Sequence, residues 1–202
     1  MGDVERYQPV VDELRRLQAS VQSVEADNAA VNEAAALLAQ ANRLLSDGEP
    51  RKAWYEVDDP DLRKGRNRDF SPWSGALNPV APPMRFEAGE RDGVACLVGR
   101  VTVSTLREGP PGVAHGGVLA GLFDEIMAAA RGHELGGLAF TARLAVRYAK
   151  VTPSVDEVVF RAWVDDVRGR RVTMKADCVI AETLAEPEPT VTATAEAMFL
   201  CQ

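Results

Sequence analysis

Along residues 1–46 apolar side chains recur in alternating steps of four and three. Val10, Leu14, Leu17, Val21, Val24, Val31, Ala35, Leu38 and Leu45 form the stripe, interrupted by Asn28 and Asn42. That heptad spacing predicts helix. Ser20, Val21, Ser23 and Val24 are mediocre helix formers, and Asp27-Asn28 offers a stop and a fresh N-cap, so two helices are expected rather than one long coiled coil. Their stripe would pack on the rest of the chain or on a partner subunit, as a docking or assembly extension.

Residues 47–83 lose the periodicity. Asp58, Asp59, Pro60 and Asp61 are followed by Arg63, Lys64, Arg66 and Arg68, then by Pro72, Pro79, Pro82 and Pro83. This is an irregular connector with a solvated charge run. Trp54, Trp73 and Leu77 are the residues expected to pin it to a core.

From 84 to 202 the pattern becomes strands around one helix. Segments 84–88 and 94–103 have β character, the second through alternating Val94, Cys96 and Val98. After Pro110-Pro111-Gly112, residues 116–131 read as a helix rich in Ala, Leu and Met, closed by Gly136-Gly137. Segments 139–151, 157–167, 170–181 and 190–201 are rich in Val, Thr, Phe or Tyr, with a tight turn at Arg168-Gly169. One long apolar helix followed by consecutive antiparallel strands predicts an α+β domain whose sheet wraps the helix.

Composition narrows the partners. A net charge of −7 among 202 residues disfavours nucleic-acid binding, although a local arginine cluster still suits an anionic small molecule. Cys96, Cys178 and Cys201 are odd in number and widely spaced, which predicts neither a disulfide framework nor a metal site and fits a reducing, cytoplasmic compartment. No run is long and apolar enough for a bilayer span, so no membrane partner is expected.

Candidate chemistry concentrates in Gly112-Val113-Ala114-His115-Gly116-Gly117-Val118-Leu119-Ala120-Gly121-Leu122-Phe123-Asp124-Glu125. Two glycines open the helix, where outward-pointing N–H groups are accessible and favour negative charge. Such a start suits the oxyanion formed when a carbonyl is attacked. Asp124 lies among Leu122, Phe123, Ile126 and Met127, a setting that would poise a carboxylate as general base or nucleophile. His115 reads equally as a cap or as a catalytic group.

His115-Gly116-Gly117 with Asp124 nine residues after the histidine, then Phe140-Thr141-Ala142-Arg143-Leu144, Val146-Arg147-Tyr148 and Val167-Arg168-Gly169-Arg170, resembles the hotdog acyl-CoA thioesterases of the phenylacetyl-CoA thioesterase group. The resemblance runs from about Asn78 to the C-terminus. It implies a hotdog fold, hydrolysis of acyl-CoA to free acid and CoA, and no cofactor beyond the coenzyme A of the substrate. It also implies that the Gly116 N–H polarises the thioester carbonyl, Asp124 activates the attacking oxygen, Thr141 orients water and His115 orders the loop, with Gly117 in the substrate site. Some relatives carry an Asn six residues before the histidine. Here that position is Gly109, and neighbouring Glu108 does not do the same job.

Helix geometry adds a separate expectation. Gly116 and Asp124 are eight residues, hence about 12 Å, apart along one helix, so they cannot serve one carbonyl from the same chain. A symmetric pair of antiparallel helices would bring them together, which asks for a homodimer or a dimer of dimers. The coenzyme A phosphates are expected at Arg168, Arg170 and Arg171 of the hairpin turn, with Arg143 or Arg147. Two other activities share these features: a hotdog hydratase or dehydratase, and a non-catalytic acyl-CoA binding protein.

Overall fold

Asp27 divides the N-terminal region. In the computed structural model, which describes residues 3–59, 65 and 67–202, helix α1 spans Asp3–Ser23 and α2 spans Asn28–Ser46. The Ala30 N–H donates to Asp27 Oδ1 at 2.8 Å, the N-cap bond that starts α2. α1 is tied to the body: Val11 is buried, and Arg15 Nη2 donates to the carbonyls of Gly75, Ala76 and Asn78 at 3.4, 3.3 and 3.2 Å. α2 buries none of its side chains within the chain.

Six antiparallel strands follow: β1 (Arg85–Arg91), β2 (Val94–Thr102), β3 (Ala139–Tyr148), β4 (Glu157–Arg168), β5 (Arg171–Ile180) and β6 (Val191–Cys201). Their order in the sheet is β1-β2-β4-β5-β6-β3, so β3 crosses to the far edge beyond β6. The crossover is made by helix α3 (Gly116–Leu135), which lies against one face of the sheet. Leu122, Phe123, Ile126 and Met127 of α3 are fully buried against Phe160, Met174 and Phe199 of the strands. Each such side chain stabilises the fold by about 1.5–3 kcal/mol through burial. Phe123 and Phe160 meet edge to face, their centroids 4.9 Å apart.

Three element ends differ from the sequence reading. β1 reaches Arg91 rather than 88, because its pairing with β2 continues to Arg91 opposite Val94. α3 runs a turn past Arg131 because the buried Arg131 guanidinium reaches the carbonyls of Gly136 and Gly137, at 2.6 and 3.0 Å, and supplies the end of the helix with donors. Gly136 takes φ 66° and ψ −166°, a positive-φ extended conformation open essentially to glycine only, and ends it. β3 stops at Tyr148 rather than near 151, since the Ala149 and Lys150 N–H groups both turn to the Thr192 carbonyl.

In the connector, Trp73 packs on the core and Leu77 is buried. Asp58, Asp59 and Arg68 are exposed. Pro60, Asp61, Arg63, Lys64, Arg66 and the side chain of Trp54 lie outside the described residues. Among the described residues no helix is long and apolar enough to cross a membrane.

Candidate active site

The start of α3 is fixed by the loop before it. The His115 N–H donates to the Arg107 carbonyl and the Ala114 N–H to the Thr152 carbonyl, both at 2.9 Å. His115 is the N-cap, and its Nδ1 accepts from the Gly117 N–H at 3.0 Å. The Val118 and Leu119 N–H groups both donate to the His115 carbonyl, at 2.9 and 3.2 Å. Of the four N–H groups that a helix leaves without an internal partner at its start, the one at Gly116 alone makes no hydrogen bond among the described residues. An available donor with the helix dipole behind it is what a developing oxyanion requires.

Two turns along, Asp124 is half-buried, and its Oδ1 accepts from the Thr141 hydroxyl at 2.7 Å. Thr141 reaches it through an irregularity. In β3, Leu144 and Val146 pack on the core, so strict alternation would turn Thr141 to the opposite face. The pairing with β6 slips between Thr141 and Arg143, leaving Ala142 unpaired. That bulge reverses the alternation and brings Thr141 opposite the buried Phe199, on the helix side. No sequence pattern announced the bulge. Further along β3 the Tyr148 hydroxyl donates to the Gly116 carbonyl at 2.7 Å, a contact the sequence did not single out. One strand therefore touches α3 at both the acid and the open helix start.

Glu125 is separated from Asp124 by its own partners. Its Oε1 accepts from the Ser71 hydroxyl at 2.5 Å and from the Ser74 hydroxyl. Glu108 accepts from the Ser154 hydroxyl, and a side chain added at Gly109 would make ordinary contact with His115, 3.6 Å away. The hairpin arginines surround a turn in which Gly169 has φ 58°. Arg168 pairs with Asp166 at 2.7 Å, Arg170 donates to the Cys201 carbonyl at 2.8 Å and Arg143 pairs with Glu196 at 2.6 Å. Arg171 is exposed. Cys96 and Cys178 are buried free thiols, and burial pushes the Cys178 thiol up to about 12. It stays protonated at neutral pH and is no nucleophile.

Residues 111–185, from the loop before α3 into the loop after β5, match the family model of the thioesterase superfamily. A crystal structure of a thioesterase superfamily protein superposes with a TM-score of 0.78 at 28% sequence identity, covering 96% of this chain and 89% of the other. The domain has the hotdog fold of that superfamily. The coverage takes in the N-terminal helices as well as the hotdog domain. Two more distant structures share the fold: zebra fish thioesterase superfamily member 2, with a TM-score of 0.51, 14% identity, 72% of this chain and 89% of its own, and AziG of S. sahachiroi, with a TM-score of 0.50, 17% identity, 58% and 90%. Comparison with curated proteins gives no match.

Proposed function

We propose that the chain hydrolyses acyl-CoA thioesters to the free acid and CoA, with Asp124 as general base. The observation that carries this reading is the Thr141–Asp124 contact on a hotdog helix whose first N–H, at Gly116, is open. Thr141 donates to Oδ1, which leaves Oδ2 to accept from a water and the threonine oxygen lone pairs to orient it. Asp124 takes the proton as the water oxygen bonds to the thioester carbon. The carbonyl oxygen becomes an oxyanion held by a Gly116 N–H. Collapse breaks the C–S bond, and the CoA thiolate leaves with the proton from Asp124. His115 holds the loop through its cap bond to Gly117 rather than moving a proton.

Gly116 and Asp124 of one chain stand about 12 Å apart, so the site is built from two chains. β3 ends the sheet, and it exposes Phe140 (62%) and Tyr148 (50%) beside an edge without a strand partner among the described residues. A second copy docked along that edge covers it and sets the two α3 helices antiparallel. The Arg168–Arg171 hairpin, with Arg143, supplies guanidinium groups for the coenzyme A phosphates.

A hydratase would need a histidine facing an acid across the substrate. Here the His115 Nδ1 is engaged as the helix cap, accepting from the Gly117 N–H. Thiol release from a panel of acyl-CoAs is the test. Release supports hydrolysis. Hydration of an enoyl-CoA without thiol release, or tight binding with neither reaction, would overturn it.

A further inference from the structure

The strap from Asp69 to Asn78 is built around one buried contact to α3. Ser71 and Ser74, both buried, donate to Glu125, and the Trp73 N–H donates to the Ser71 hydroxyl at 3.3 Å. The Leu77 N–H closes on the Asp69 carbonyl at 2.8 Å, and Asn78 Nδ2 donates to the Ser71 carbonyl at 3.2 Å. Arg15 of α1 clamps the far end through three carbonyls. Between the two serines stands Trp73. Its indole carbons come within 2.2 Å of where a Cβ on Gly121 would lie, so the ring rests directly on the helix backbone there. Only glycine admits it.

On α3, Gly117, Gly121 and Asp124 follow one another in steps of four and three and so share a face. Neighbours at that spacing have Cβ positions about 5–6 Å apart, which puts the indole next to the Asp124 carboxylate. Beyond Gly121, toward the helix start, the same face is open among the described residues: a Cβ at Gly117 would meet only the imidazole of His115. An acyl chain that starts at Asp124 and runs toward the helix start meets the half-buried indole at Gly121 within one turn, about 4.5 Å along the axis.

We infer that Trp73 is the wall that ends the acyl groove along α3 and sets the longest acyl chain that this enzyme accepts. The inference rests on Asp124 marking the reaction centre. Trp73 lies outside residues 111–185, so a segment beyond the family match determines which thioester is taken. Glu125, adjacent to the acid, is a positioning residue that holds the strap and through it the wall.

The test compares kcat/KM for straight-chain substrates from acetyl-CoA to palmitoyl-CoA in the wild type, Trp73→Phe, Trp73→Leu and Trp73→Ala, with melting curves to confirm folding. The wild-type profile should fall off beyond some length. Trp73→Ala should move that limit to longer chains, raising kcat/KM for the first rejected substrate, relative to that for the best short substrate, at least about tenfold through KM. The Phe and Leu variants, which retain more apolar contact, give intermediate shifts and keep the test open should the alanine variant unfold. Folded variants with the wild-type chain-length profile would overturn the wall and leave the hydrolase reading intact. A wild type that releases no thiol from any substrate would remove that reading, and the wall with it.

Discussion

Asp124 and Glu125 are adjacent carboxylates with different neighbours, and the neighbours decide their roles. Glu125 accepts two serine hydroxyls from the strap and is held as an anchor. Asp124 accepts one hydroxyl, from Thr141, and keeps acceptor capacity for water. Asp124→Asn retains a carbonyl oxygen for Thr141, so the fold and substrate binding should survive while kcat falls by roughly 10²-fold or more, the usual loss for a general base. Steady-state kinetics beside a melting curve check this, and near-normal turnover in a folded variant would exclude Asp124. Thr141→Ala removes orientation but not the base, so it should cost less. A greater loss from Thr141→Ala than from Asp124→Asn would reverse the two roles.

The elements show what periodicity conveys and what it omits. The split at Asp27, the helix opening at Gly116 and six strands within a few residues of their bounds were legible because each rests on local signals: capping residues, a glycine pair, β-branched runs. The bulge at Ala142 was not. It depends on how β3 pairs with β6, more than fifty residues away, yet it is what turns Thr141 to the acid. Trp73 and Leu77 were legible as pins of the strap, but its serine contacts to Glu125 were not, since hydroxyl contacts to a carboxylate some fifty positions on leave no periodic trace. Motif residues thus pointed to Asp124 and the Gly116 N–H as candidates, but not to the contacts around them. The β4–β5 hairpin carries the proposed phosphate contacts. Arg170→Glu with Arg171→Glu should raise KM for acyl-CoA roughly tenfold with kcat little changed, as expected for losing a charge-assisted bond or two. An unchanged KM would place the phosphates elsewhere.

At the scale of the whole molecule, the β3 edge, unpaired among the described residues, and the roughly 12 Å between Gly116 and Asp124 motivate the proposed requirement for a second chain. Complementation between two inactive variants tests that requirement together with both catalytic roles. Gly116→Pro deletes the oxyanion N–H. Proline suits the first helical position, and His115 already has the extended ψ of 132° that a residue before proline adopts. The Tyr148 ring, 3.3 Å from a Cβ at 116, needs to give only a few tenths of an ångström. Asp124→Asn deletes the base. In a mixed dimer one site combines an intact Gly116 from one chain with an intact Asp124 from the other, and the second site carries both defects. Unfolding and refolding the two folded, inactive proteins together should restore up to roughly a quarter of wild-type thiol release, because half the dimers are mixed and each has one working site. Demonstrably mixed dimers with no activity above either parent would contradict the account.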